Sequence, residues 1–320
     1  MQVTHGMLPA PAGRLTAPAR RHAITIGNFD GVHRGHQAML ARLRAKAKAL
    51  GVPACVLTFE PHPREFFAPQ SAQTRLTRLT SKLTVLRNAG VDRVHVARFE
   101  ARFAALAPEQ FIEQVLVQGL GCAWLIVGED FRFGARRAGD FAMLERAGRT
   151  HGFGVEAMPE VRVDGVRVSS SGVRAALEAG DLAAAEVLLG RTYVIAGRVA
   201  HGEKLGRTLG SLTANIVLPH KPPLAGIFVV EVDGVPSAAG ASLPAVASLG
   251  VRPTVNEVPV PLLEVHLLDF DGDLYGSRLK VRFLSRLRDE EKYSGLDELR
   301  AAIAGDVANA RKFFAMKTNG

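Results

Sequence analysis

His33 and His36 stand three residues apart around Gly35, inside the string Gly27-Asn28-Phe29-Asp30-Gly31-Val32-His33-Arg34-Gly35-His36-Gln37. Two imidazoles beside a glycine at a helix start suit a phosphate. The glycine admits an anion close to the backbone, and the first N–H groups of the helix are unsatisfied donors. Gly27, Asn28, Phe29 and Asp30 belong to the same turn. A second cluster is Ser169-Ser170-Ser171-Gly172-Val173-Arg174, where Ser170 and Ser171 offer hydroxyls, a helix start offers backbone donors, and Arg174 offers a guanidinium. A third string runs from His201 to Asn215. Gly202, Gly206 and Gly210 with Arg207 describe a flexible phosphate-approach loop, and Thr213 and Asn215 bring two oxygens from positions separated by one residue, which suits a hard cation such as magnesium. Glu264 and His266 lie two apart in an apolar run, so they share one face of a strand.

These groups need elements to hold them. Ile24 to Gly27 reads as a strand, and Met39, Leu40, Leu43, Ala47 and Leu50 then recur at helical spacing, so the two histidines sit on a strand–turn–helix junction. Ala54 to Phe59 reads as a second buried strand stopped by Glu60-Pro61-His62-Pro63, with a loop after it. Ser81 to Ala89 is helical in period, Val94 to Ala97 is a short strand, Pro108 to Val117 is a helix and Ala123 to Val127 is a further buried strand. Strands alternating with helices predict a doubly wound parallel α/β sheet, at whose strand ends ligands bind. Residues 1–22 read as an irregular lead-in or a short edge strand. Asp181 caps a short helix ending at Leu188-Leu189-Gly190, and beyond it the pattern changes. Tyr193 to Val199, Gly226 to Val232, Ala245 to Leu249, Leu262 to Leu268 and Lys280 to Leu287 are apolar runs between Gly, Pro and Asp turns. They predict a small closed antiparallel barrel. Leu296, Leu299, Ile303, Val307, Phe313 and Phe314 predict a final amphipathic helix. The expected domains are 1–185 and 186–320.

The chain has 320 residues, 47% of them apolar, which is enough for two cores. Two cysteines, Cys55 and Cys122, lie among apolar neighbours and support neither a disulfide framework nor a zinc knuckle. No apolar run reaches the length of a membrane span and no signal-type segment opens the chain, so the cytoplasm is the expected compartment. The net charge of +9 is uneven: 24 Lys/Arg stand against 16 Asp/Glu through Ala185, and 16 against 15 beyond it. The basic residues are scattered without aromatic interleaving, so small anionic substrates explain the bias at least as well as a nucleic-acid surface does, and solvated helix faces such as that of Arg42, Arg44, Lys46 and Lys48 are a further source of it.

The turn at Gly27–Gln37 has neither the G-x-x-x-x-G-K-[ST] of a P-loop nor the G-x-G-x-x-G of a dinucleotide fingerprint. It resembles the H-x-G-H signature of the nucleotidylyl transferases, and the fuller string resembles the adenylyltransferase half of the bacterial bifunctional riboflavin kinase/FMN adenylyltransferases (FAD synthetases). Three segments extend the resemblance: Val127 to Gly134, Thr58 to Pro63, and the serine cluster, where Ser171 stands for the usual threonine. The resemblance implies that His33, His36, Ser170, Ser171 and Arg174 hold the ATP triphosphate together with Gly27, Asn28, Phe29, Asp30 and Gly35. It implies a flavin end near Pro61, His62, Pro63, Phe67, Asp130, Phe131 and Arg132.

His201 to Asn215 is similar to the riboflavin kinase signature, with Leu212 where proline is usual and Ser211 where an aromatic is usual. Gly250 to Val255, Leu263 to Phe270 and Arg288 to Tyr293 continue the likeness. This implies Gly202, Gly206, Gly210, Arg207 and Arg252 as ATP or flavin ligands, Thr213 and Asn215 as ligands of Mg²⁺ accompanying ATP, and Glu264 as the base for the riboflavin 5′-hydroxyl. The whole resemblance implies an enzyme of two transferase activities, riboflavin to FMN and FMN to FAD, with ATP as donor in both and neither nucleic acid nor membrane as partner; it sets no oligomeric state. Two rival readings stay open: an adenylyltransferase joined to a weakened kinase half, and a flavin-nucleotide sensor without turnover.

Overall fold

The computed structural model describes residues 1–6, 21–71, 73–200, 213–252 and 260–318, with the backbone alone at Arg252 and Thr318. By its internal contacts the chain divides into two units, Met1–Gln73 with Arg78–Ser169, and Thr74–Thr77 with Ser170–Gly320. By this division the helices beginning at Ser170 and Leu182 fall in the second unit, upstream of the break expected near residue 186.

The first unit is built on a six-stranded sheet in the order β1-β4-β3-β2-β5-β6, from β1 (Gln2–Gly6), β2 (His22–Ile26), β3 (Ala54–Glu60), β4 (Arg93–Arg98), β5 (Cys122–Gly128) and β6 (Gly154–Met158). All five pairings are parallel. The order runs one way from β2 through β3 to β4 and the other way from β5 to β6, so the carboxyl ends of β2 and β5 meet at a topological switch point, the ligand crevice of such sheets. Both faces are buried, and alternate residues feed separate cores. Ile24, Ile26, Cys55, Leu57 and Leu125 pack beneath Phe111, Val115 and Leu116, while Ala23, Val56, Val94 and Val96 pack against Leu40, Leu43 and Ala47 of α1 (Arg34–Leu50). The edge strand β1 settles residues 1–6 of the lead-in; residues 7–20 lie outside the description.

Two segments differ from the sequence reading. Where a loop was expected after Pro63, the chain forms a short helix, α2 (Pro63–Phe67). His62 caps it: its Nδ1 accepts from the Arg64 N–H at 3.1 Å, and Glu65 accepts from the His62 N–H at 3.1 Å. The helix expected over Pro108 to Val117 begins with one α turn, Pro108–Gln110, and continues as a π-helix over Phe111–Gly119.

In the second unit α7 (Ser170–Glu178) and α8 (Leu182–Leu189), which follow α3 (Leu79–Asn88), α4 (Ala101–Ala104), α5 (Pro108–Gln110) and α6 (Phe141–His151) in chain order, precede an antiparallel sheet. With β7 (Arg162–Val163) and β8 (Val166–Arg167) forming a small hairpin in the first unit, the sheet strands are β9 (Val194–Arg198), β10 (Thr213–Val217), β11 (Gly226–Asp233), β12 (Leu243–Arg252), β13 (Val260–Leu267) and β14 (Arg278–Arg288). Their order is β10-β13-β12-β11-β14-β9, and a bridge between Ala200 and Asn215 nearly joins the two edges into a barrel. α9 (Leu296–Thr318) closes one side, with Ala310, Val307 and Phe313 packed on Ile227, Val229 and Val246. Arg288 donates twice to Asp306, at 2.9 and 2.7 Å, and Arg311 donates twice to Asp269, at 2.8 and 2.6 Å, which ties the helix to the barrel.

Candidate active sites

The first site lies at the carboxyl edge of the parallel sheet, where the turns after β2, β3 and β5 all emerge. After β2 the chain reverses through Phe29 (φ +49), Gly31 (φ +81) and Val32 (φ +41). Phe29 and Val32 are fully buried there, and a β-branched residue in this region is strained, which such turns retain where the geometry matters to a ligand. Gln37 secures the turn by donating to the Val32 carbonyl at 2.9 Å, and Thr58 donates to the Asn28 carbonyl at 3.2 Å.

His33 is the N-cap of α1: its Nδ1 accepts from the His36 N–H at 3.3 Å, which makes Nε2 the proton-bearing nitrogen of the neutral ring. The His33 and His36 rings stack at 3.7 Å between centroids, and the Phe29 ring lies 4.8 Å from that of His36. Gly35 lies close against them: a Cβ there would meet the His33 ring at 3.2 Å, so the ring would have to give by a few tenths of an ångström. Gly27 likewise lies against Phe29. The predicted cluster Gly27, Phe29, Asp30, His33, Gly35 and His36 is thus one continuous turn, with Asp30 and His33 buried in it.

The proposed flavin residues fall on the turns after β3 and β5. Phe67 is 67% exposed, and its ring meets Phe66 and Phe99 edge-on at 5.2 and 5.7 Å. Phe59 and Phe103 extend the group. Phe99 was missed in the sequence because it lies far along the chain from the proline turn. Phe131 stacks on Phe133 at 5.8 Å, Asp130 pairs with Arg167 at 3.4 Å and Arg132 pairs with Asp140 at 3.7 Å.

The serine and arginine cluster opens α7 in the second unit. Ser170 is its first residue, and Arg174 is buried, its Nε donating to the Thr74 carbonyl at 2.6 Å.

The barrel site is assembled by strand register. Thr213 and Asn215, read from sequence as the end of a loop, stand on strand β10. Asn215 faces Glu264 on β13, and Glu264 faces Ser248 on β12, so amide, carboxylate and hydroxyl form one row across three strands. Glu290 continues it: the Ser248 hydroxyl donates to its carboxylate at 3.4 Å, and that carboxylate lies where a side chain at Gly250 would have to go. Partial desolvation raises the Glu290 carboxyl above its ordinary range; the Ser248 hydrogen bond opposes this and the charge of Glu264 adds to it. A cavity of about 460 Å³ adjoins Thr213, lined also by Val199, Ala214, Asp271, Gly272 and Tyr275. The 271–275 turn carried no signal in the sequence beyond its glycine and aspartates. Gly202, Gly206, Arg207 and Gly210 lie outside the described residues, as does the Arg252 side chain.

The chain matches the family model for FAD synthetase over residues 16–172 and that for riboflavin kinase over residues 189–314. It is 52% identical over 300 residues to the bifunctional riboflavin kinase/FMN adenylyltransferase of Pseudomonas fluorescens, covering 93% of this chain and 95% of that protein. The chain belongs to the bifunctional riboflavin kinase/FMN adenylyltransferase family. A second member, from Escherichia coli strain K12, is 47% identical over 301 residues, covering 94% of this chain and 95% of that one. Among solved structures, a Streptococcus pneumoniae protein titled a macrolide-efflux protein has the same fold, with a TM-score of 0.79 and 25% identity over 97% of this chain and 99% of that one. No helix among the described residues is long and apolar enough to cross a membrane. The FAD synthetase match contains the His33–His36 turn and ends inside α7, while the riboflavin kinase match contains the Asn215–Glu264–Ser248 row.

Proposed function

We propose a residue-level division of labour for the two reactions of this family. The chain is a bifunctional transferase of FAD biosynthesis, converting riboflavin to FMN and FMN to FAD. In adenylyl transfer the FMN phosphate is itself the nucleophile, so the protein has to align it with the α-phosphorus of ATP and stabilise the departing pyrophosphate. His33, His36 and the turn Gly27, Asn28, Phe29, Asp30 and Gly35 serve the ATP phosphates, as do Ser170, Ser171 and Arg174. Pro61, His62, Pro63, Phe67, Asp130, Phe131 and Arg132 serve FMN, with the Phe66–Phe67–Phe99 group as an apolar support. His33 is aligned by its own cap hydrogen bond, which fixes the plane of its ring at the start of α1.

In the kinase reaction Glu264 accepts the proton of the riboflavin 5′-hydroxyl. Gly202, Gly206, Arg207, Gly210 and Arg252 serve the nucleotide and flavin. The Asn215 side-chain oxygen is buried and has no hydrogen-bond partner among the described residues, which suits a cation ligand, and Thr213 supplies a second oxygen two residues away on the same strand face. These two would hold the Mg²⁺ of Mg-ATP, whose charge offsets that developing on the γ-phosphoryl oxygens when it is bound. As functional domains we take 1–185 and 186–320, a break that falls in the interval between the two family matches. The protein acts as a soluble cytoplasmic enzyme.

The single observation that carries the assignment is the strand register that sets Glu264 directly across from Asn215. The test is to incubate the protein with riboflavin, ATP and Mg²⁺ and to resolve riboflavin, FMN and FAD by chromatography. FMN appears first and FAD follows, both dependent on Mg²⁺. FAD made from supplied FMN, with none made from riboflavin, would show an idle barrel.

A further inference from the structure

Arg286 lies within the riboflavin kinase match, on β14, yet its side chain is spent on the helical hairpin at the start of the second unit. Between β11 and β14 the register slips: Ile227 pairs with Arg288 and Phe228 with Arg286, so Leu287 is the extra residue of a β-bulge. A bulge re-aims the neighbouring side chain, and here the Arg286 stem is laid over Gly180. A Cβ at Gly180 would meet the Arg286 Cδ at 2.6 Å and its guanidinium nitrogens at 3.0 and 3.1 Å. Gly226 lies on the other side of the stem, where a Cβ would stand in ordinary contact with the Arg286 Nε at 3.5 Å. That Nε is buried without a hydrogen-bond partner among the described residues, so packing fixes the stem, and an ion pair from the guanidinium to Asp289 holds its end.

Gly180 is the residue that ends α7. It adopts φ +74, its N–H bonds to the Leu177 carbonyl at 2.9 Å, and the Asp181 N–H bonds to the Ala176 carbonyl at 2.8 Å, after which Asp181 caps α8. α7 is nine residues long, so a tilt at this turn moves its far end, where Ser170, Ser171 and Arg174 stand about 9 to 15 Å away at 1.5 Å per residue. The opposite end is tied by Arg174 to Thr74, and Tyr193 donates to the Leu76 carbonyl at 3.2 Å in the same strap.

We propose that Arg286, though part of the kinase barrel, is a positioning residue for adenylyl transfer, holding the α7–α8 turn and through it the phosphate-facing start of α7. The inference rests on the reading that Ser170, Ser171 and Arg174 serve the ATP phosphates. Displacing aligned groups by about 1 Å costs on the order of a hundredfold. Arg286→Ala therefore lowers FAD formation from FMN ten- to a hundredfold, changing both kcat and the ATP KM of that reaction, while kcat and KM for FMN formation stay within twofold. Arg286→Lys keeps the stem over Gly180 and restores most of the loss. Gly180→Ala, which pushes the stem away from the other side, reproduces the Ala phenotype. The inference is overturned if Arg286→Ala leaves FAD formation unchanged, if both activities fall together with the melting temperature, or if Arg286→Lys is as impaired as Arg286→Ala. Arg174→Ala separates the two levels: unchanged FAD formation in that variant removes the reading of α7 itself, whereas loss there with full activity in Arg286→Ala removes only the role of Arg286.

Discussion

His36 stacks on His33 at 3.7 Å and acts, in our reading, on the adenylyl-transfer phosphates alone. His36→Ala lowers FAD formation from FMN by about a hundred- to a thousandfold, the usual effect of deleting one oxyanion donor, and FMN still accumulates from riboflavin. Loss of both products would mean that the ring supports the fold of the turn instead. Glu264→Gln does the converse. The amide keeps the shape of the carboxylate but cannot accept the proton, so FMN formation stops while supplied FMN is still adenylylated; phosphorylation at the wild-type rate would make Glu264 a solvated strand residue. A third residue bears on stability. His95 is buried on β4 with its Nδ1 at 2.9 Å from the Thr4 hydroxyl, and burial lowers its pKa from 6.5 to about 4, with the charges of Arg93 and His5 adding to the shift and a hydrogen bond to the Gly6 backbone opposing it. A lowered histidine pKa means that the neutral ring is favoured by folding, so this contribution is full above pH 6.5 and declines as the pH falls toward 4. At pH 5 the loss is about 2 kcal/mol, at 1.36 kcal/mol per pH unit. Denaturant titrations of the wild type and His95→Gln at pH 7 and pH 5 check it: the variant should lose less stability over this interval, and equal slopes would count against the assignment.

At the scale of elements, the tie between β14 and α9 is the most exposed to a single change. Asp306 is 6% exposed and receives both hydrogen bonds from Arg288. Asp306→Ala leaves that guanidinium without its buried partner and costs about 3 kcal/mol, at the low end for a broken buried pair because Arg288 keeps a contact with Glu291. Calorimetry should show a fallen melting temperature for the barrel with the α/β transition unmoved. The same elements show which features the sequence carried. Strands β2, β3 and β5 were legible because parallel strands buried on both faces read as continuous apolar runs, and the cap at Asp181 and the stop at Gly190 were legible from residue type alone. β10 was not, because Thr213-Ala214-Asn215 follows three glycines and has only Ile216 and Val217 to suggest a strand. α2 was hidden by its prolines, although Pro63 stands at a first helical position that proline tolerates. The row of Asn215, Glu264 and Ser248 was out of reach for a different reason: it depends on which strands pair and in what register, and residues 16 to 49 apart in the chain show no common period. The place of α7 beside the barrel is likewise a tertiary fact, carried by a bulge and a glycine rather than by any motif.

At the scale of the whole molecule, two activities share one chain and one intermediate. Mixing His36→Ala with Glu264→Gln, each defective in one reaction, should restore FAD formation from riboflavin after a lag, since FMN made by one protein is substrate for the other. A mixture that accumulates FMN without FAD would show that the intermediate is not passed through solution. The two units can also be watched apart by an accident of composition. The single tryptophan of the chain, Trp124 on β5, lies face-on beneath the Lys46 ammonium at 3.7 Å and against Gly154, where no larger residue would fit. Its indole is therefore a built-in optical label for the α/β half alone: excited at the red edge of protein absorption, the molecule reports by its emission when that half loosens, while the barrel melts in the dark.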